Sequence, residues 1–487
     1  MTLLRKILIT ALLLITILHG FPQATPPKFT AAQLIKDYEI LTGALKDAHP
    51  GLYRYTTKEK FDRLFAETRS KIDHSMTEEE FYKLVMPLIA NIKCGHTKFH
   101  RQGKPDDRYP FHNDNLFPLK LYFVHEKAYM LYSYEPSVHV APASEVVTIN
   151  GKPVSDIIKQ LRSYITVDGD VQSAVYEELN HSFNGYYATF VENVKNYKIT
   201  YKDNRRQASS TLPGVKLQAI EEREHENIPE SRLPLRLACV ADSIAVLTIE
   251  SFYVDSAVQQ FYPFIDSAFR DIKDKKIRNL IIDVRNNEGG EEDWGGYLYS
   301  YLADKSFTYY KKLVLTKRGN YKFTEYAVMP PELDYMKDYI QEKDGEVVFT
   351  GQQYLYEKQP QENRYTGKVY MLINGVSFSV TTELASMVHN NKRATFVGEE
   401  TGGAYYGNNS GVFEILTLPN TKLTAGIPLV AFYSNVSGYP YKSRGILPDY
   451  TVSSPVHDIL DKRDVIMEGT LRLIQAKKES VQLITKK

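Results

Sequence analysis

The stretch NGVSFSVTTELA, residues 374–385, carries two serines, Ser377 and Ser379, out of a glycine turn. Beyond them Leu384, Ala385 and Val388 recur at helical spacing. A hydroxyl at a helix start lies among backbone N–H groups without intrahelical acceptors, where negative charge is favoured. Such a site suits a nucleophile and its oxyanion, and it suits a helix cap equally well. Spacing alone favours the cap. Other candidate chemistry is thinner. Cys94 and His96 stand two apart in IKCGHTKFH, but no further Cys or His cluster supports a zinc site. RNNEGGEEDWGG is acidic and glycine-rich without a regular calcium-loop spacing or a Gly-Lys-Ser/Thr phosphate-loop ending.

These residues need elements to position them. Residues 28–112 read as a helical bundle: three amphipathic stretches, the later two opening on Thr with acidic neighbours, as N-terminal caps do. Residues 116–202 turn to short strands and two helices. Asn150-Gly151-Lys152-Pro153 joins a strand to a helix. Residues 203–235 are polar and aperiodic, which predicts a linker. From 236 to 455 apolar strands alternate with helices, the pattern of a sheet buried on both faces. Residues 456–487 form a predicted C-terminal helical tail.

The 487 residues are too many for one core, and 43% hydrophobic with 24% charged residues is ordinary for a folded protein. A formal net charge of +1 gives no reason to expect a nucleic-acid partner. At the N-terminus, Arg5 and Lys6 precede an apolar run from Ile7 to Leu18, the form of a secretory signal over residues 1–24 with Ala24 at the cleavage position. The alternative is an uncleaved anchor. Export to the periplasm or beyond is the expectation. Cys94 and Cys239 are expected to be free, largely buried thiols.

Three segments in order, NLIIDVRNNEGG, the stretch from VYMLINGVSFS to VGEETGG, and GILPDY, resemble the core of the tail-specific, or C-terminal-processing, serine peptidases. SEVVTINGKPVSDII resembles half of a PDZ domain as that family carries it. The resemblance implies a multidomain α+β fold: helical bundle, PDZ-like β-rich domain and α/β crotonase-like peptidase core. It implies Ser379 as nucleophile, with Ser377 and Asp449 structural. The Val380 N–H and an N–H from Gly289 or Gly290 would form an oxyanion hole.

Many relatives activate the serine with a lysine that falls here on Ala404. The Gly-His-Thr turn at His96 resembles the histidine-using, tricorn-like branch, so His96 becomes the expected base; an imidazole of ordinary pKa about 6.5 accepts and returns protons near neutrality. His100 is expected at the surface. The orienting glutamate of that branch falls on Lys442, leaving Glu399 and Glu400 as candidate orienting groups or structural partners of backbone amides. The expected activity is endopeptidase hydrolysis of a polypeptide through an acyl-enzyme, without metal or organic cofactor. The alternative is an inactive relative that binds peptides or apolar ligands. Oligomeric state stays open.

Overall fold

The computed structural model describes residues 26–102, 108–203, 206–226 and 232–485, with side chains to residue 476. The expected signal segment lies outside the described residues. At the centre is a six-stranded sheet in the order Leu235–Ala241, Ile244–Ile249, Asn279–Asp283, Lys368–Ile373, Ala394–Gly398, Tyr450–Thr451. Its first pair is antiparallel and all others are parallel.

The continuous apolar strands are explained by cover on both faces. Leu280, Ile282, Val369 and Met371 face the helices Phe261–Asp274, Glu292–Ser300 and Val380–Asn390. Ile281, Tyr370 and Leu372, one position on, face Ile466 and Ile474 of the helix Val465–Thr485. Arg285 ties that helix down, holding Asp283 and Asp464 with paired guanidinium bonds.

The N-terminal helices Ala31–Ala48, Lys58–Ser70 and Glu78–Ala90 start where their threonines cap them. Thr30 and Thr77 form capping boxes with Gln33 and Glu80, and Thr57 accepts from the Lys60 N–H. These helices share one apolar cluster with a separate antiparallel sheet and with Leu416, Leu423 and Ile427 of the core. That antiparallel sheet runs Leu119–Val124, Lys127–Ser133, Glu145–Ile149, Asn196–Asp203, Arg206–Pro213.

Two sequence expectations need correction. The stretch 203–235 is not plain linker. It contains the strand Arg206–Pro213, paired along its whole length with Asn196–Asp203, and the helix Leu217–Glu226, which seats Ile220 against Leu116, Tyr134 and Val215. The strand lies at a sheet edge with almost every side chain exposed, so no alternation marked it. Cys94 is buried but Cys239 is exposed, and both are free. Among the described residues, no helix is long and apolar enough to cross a membrane.

Candidate active site

Ser379 precedes the helix Val380–Asn390 but does not cap it: its side chain makes no capping bond. Its backbone stands at φ 54°, ψ −127°, a conformation that a side-chain-bearing residue adopts only under strain of about 1–3 kcal/mol. The surrounding loop holds it there. Ser377, fully buried, donates to the Val284 carbonyl at 2.9 Å and accepts the Asn374 N–H at 3.1 Å, so it is structural. Phe378 N–H donates to the Asn287 carbonyl, linking the serine loop to the glycine turn.

That turn approaches too closely for side chains. A Cβ on Gly289 would lie 2.7 Å from Ser379 Cβ and 3.0 Å from Val380 N, at φ +103°. A Cβ on Gly290 would strike the Phe252 backbone. The Gly289 N–H already donates to Asn287 Oδ1 at 2.8 Å, so Gly289 contributes space rather than a donor. Among the described residues, the N–H groups of Gly290 and Val380 donate to no acceptor. Gly289→Ala is expected to lower turnover of an unfolded protein at least about 10²-fold, because a misplacement of ~1 Å is enough for that; steady-state kinetics measures it.

His96 brings its Nε2 to 3.2 Å from Ser379 Oγ, across 283 positions of sequence. The strand Lys98–His100, which begins two residues later, pairs antiparallel with Thr424–Ser434 of the core, matching Phe99 to Ala425. The ring lies on Phe378 at 4.5 Å between centroids. Gly95 permits this, since a Cβ there would meet the Phe378 ring at 2.8 Å. Burial holds the imidazole well below its ordinary pKa, at about 3, and the Lys98 charge adds to the push. The His96 imidazole is therefore uncharged near neutrality.

Asp168 is the residue the sequence did not reveal. It lies in the Asp-Gly-Asp turn before the helix Gln172–Phe190. One carboxylate oxygen accepts the Gly95 N–H at 2.8 Å; the other, buried, makes no well-formed hydrogen bond, although the Ala404 amide lies close enough to lower the carboxyl's pKa. His96 Nδ1 is likewise buried and without a partner. A carboxylate oxygen of Asp168, a ring nitrogen of His96 and Cys94 Sγ all lie within 4.8 Å of one another. Burial raises the Asp168 carboxyl to about 6, with the Gly95 amide and the Arg54 charge pulling it back. Burial also raises the Cys94 thiol, to about 11, which keeps it protonated. The turn is wedged in place. The Gly169 N–H donates to the Lys93 carbonyl, Asp170 receives Lys93 Nζ at 2.6 Å, and the Asp170 N–H donates to the Ser443 carbonyl.

The glutamates do not complete the site. Glu400 is fully occupied by the Arg444 guanidinium, at 2.7 Å on each oxygen, and by the Gly445 N–H. Glu399 sits among Ser453, His125, Tyr122 and Glu177, with its carboxyl raised by burial. Ala404 is buried and Lys442 exposed. Asp449 accepts the Phe396 N–H at 2.8 Å, a structural role. His100 bonds the Arg101 carbonyl and lines the rim of the same cleft as His96. This cleft has a volume of about 1070 Å³, with Phe99, Phe190 and Val376 as apolar lining and Glu177 and Glu288 among its charges.

Residues 243–452, which hold Ser379 and the glycine turn, match the model of peptidase family S41. The fold is similar to mature CPAF complexed with lactacystin, at 14% identity and TM-score 0.63 over 94% of this chain and 99% of that one. Mature CPAF in another crystal structure gives 14% and 0.60 over 88% and 94%. A putative peptidase from Parabacteroides merdae gives 15% and 0.47 over 93% and 99%. No curated protein sequence matches. Over residues 243–452 the chain is similar to peptidase family S41, the tail-specific or C-terminal-processing peptidases, and that match supports a serine-type peptidase.

Proposed function

We propose that the chain is an exported endopeptidase of the histidine-using kind, hydrolysing polypeptides through an acyl-enzyme on Ser379. The observation that carries this reading is the 3.2 Å contact between His96 Nε2 and a serine that is held in a strained conformation and caps nothing. Ser379 Oγ attacks the scissile carbonyl carbon while its proton passes to His96 Nε2. The amides of Val380 and Gly290 receive the oxyanion. Both are backbone donors fixed before reaction, and the helix start favours the charge. As the C–N bond breaks, His96 returns the proton to the leaving amine. Water, deprotonated by His96, then resolves the ester.

During each proton transfer His96 is an imidazolium in a site that burial makes hostile to cations. The second Asp168 oxygen is the group that offsets this. It makes no hydrogen bond to His96 Nδ1 in this structure; on closing that gap Asp168 would take the Nδ1–H, fix the tautomer that leaves Nε2 free, and stabilise the transient charge. The apolar part of the cleft supports a substrate stretch with exposed apolar side chains, as in unfolded or C-terminal segments. Export rests on the charged and apolar N-terminal segment. A fluorophosphonate probe tests the proposal. Labelling of the folded chain at Ser379 alone is expected. No labelling, or equal labelling of the Ser379→Ala variant, overturns it.

A further inference from the structure

A second cleft lies at the opposite edge of the parallel sheet. Asn279, Lys368 and Ala394, in its lining, are the first residues of three strands whose last residues, Asp283, Ile373 and Gly398, end beside the nucleophile loop. At ~3.3 Å per residue the strands keep the two sites roughly 17–20 Å apart. The cleft holds about 910 Å³, the size of a small-molecule site.

Its charge is one-sided. Lys273, Lys276, Arg278, Arg364, Lys368 and Lys392 line it, and among the described residues no lining residue is acidic. None of the six takes part in an ion pair among the described residues, although neighbouring Lys275 pairs with Asp271 at 3.0 Å. A seventh cation, Arg393, is committed: its guanidinium donates to the carbonyls of Leu302, Gly367 and Tyr365 and so fixes the floor. The six converge from three separate parts of the chain: the end of helix Phe261–Asp274 with the turn after it, the loop into strand Lys368–Ile373, and the turn before Ala394–Gly398. Like charges brought together repel unless an anion sits between them.

We propose that this cleft is a binding site for phosphate groups, either those of a compact free oligophosphate or the headgroups of an anionic lipid. Two arginines supply planar forks that fit phosphate oxygens, and four lysines supply point charges around them. The concave arrangement favours a compact anion over an extended acidic peptide, which would need a linear track of cations. The chain's net charge hides the site because acidic residues elsewhere balance it.

The intact chain is tested by calorimetric titration with inorganic tripolyphosphate at low ionic strength, and by flotation with phosphatidylglycerol and with phosphatidylcholine vesicles. Saturable tripolyphosphate binding is expected, weakening as salt is raised. The pair Arg278→Glu with Arg364→Glu is expected to weaken binding at least about tenfold, as loss of charge-assisted bonds does. The pair Lys368→Glu with Lys392→Glu serves the same end should the first pair fail to fold. Phosphatidylglycerol binding that both pairs abolish assigns the headgroup as the source, and tripolyphosphate binding alone assigns a free phosphate. The proposal is overturned if the wild type binds neither probe, if the variants bind undiminished, or if only a polyglutamate peptide binds. Reactivity of Ser379 is a separate measurement and moves independently.

Discussion

The His96→Ala variant is expected to lose about 10⁴-fold or more in kcat/KM on an unfolded protein, the scale on which removing one member of a serine–histidine pair acts. Ser379 then has no proton acceptor at 3.2 Å. The loss should be in kcat, because the imidazole touches the reacting hydroxyl and not the substrate's distal side chains. Stability should respond in the other direction at acid pH. The folded-state pKa of His96 is lowered to about 3, below the unfolded value of about 6.5. The unfolded chain therefore binds the extra proton first, and the wild type loses stability as pH falls from about 6.5 towards 3. The alanine variant lacks that contribution, so its melting temperature should fall less steeply over the same range. A variant that keeps its rate and loses stability at pH 7 would make His96 a structural residue.

The second large effect separates Asp168 as a positioning group from Asp168 as a brace. In Asp168→Asn the amide oxygen still accepts the Gly95 N–H, so the brace survives. What disappears is the charge facing the imidazolium. We expect kcat to fall by about 10²–10⁴, with KM little changed, as when the orienting carboxylate of a triad becomes an amide. The Asp168 carboxyl is raised to about 6, above its unfolded value of about 3.9. Its protonated form is thus favoured by folding, and the stability this gives is lost as pH rises through 6. The asparagine variant should therefore melt no lower than wild type at pH 7, and higher if the buried charge dominates. The pH profile supplies a third readout. Wild-type kcat/KM should decline below about pH 6 as Asp168 protonates, and that limb should flatten in the variant. Loss of both rate and stability at pH 7, with the acid limb intact, would reduce Asp168 to a brace.

The geometry also bears on motion. The helices that carry His96 share one apolar cluster with the core, and the strand after it is hydrogen-bonded into the core sheet. The imidazole is thus assembled with the serine as part of folding, and no hinge is needed to unite them. Opening of the site would have to break the pairing of Phe99 with Ala425.

Much of the site was legible in the order of residues. The helix after Ser379 follows from the spacing of Leu384, Ala385 and Val388, and the glycine turn from Gly289 and Gly290. The threonine caps of the N-terminal helices could be read directly. Whether Ser379 caps its helix could not, because a cap and a nucleophile need the same residue in the same place; the uncapped side chain rules out the cap alone. The glutamates near Ala404 looked usable because acidic residues beside a glycine turn carry no sign of their partners, and Arg444 had already taken Glu400. Asp168 gave no signal beyond an Asp-Gly-Asp turn before a helix, a pattern most solvated turns share.

The sequence by itself determined the local pieces: which stretches form helices, which strands are buried on both faces, and that a serine is delivered from a tight turn onto a helix start. These depend on periodicity and on the conformations open to single residues, and both act over a few positions. Only the tertiary structure decided that an imidazole from the N-terminal helices meets that serine, that an aspartate from between two helices stands within 4.8 Å of that imidazole, and that six cations crowd the far edge of the sheet. Such meetings are set by strand pairing and the packing of one shared core, whose partners lie hundreds of residues apart and leave no local mark.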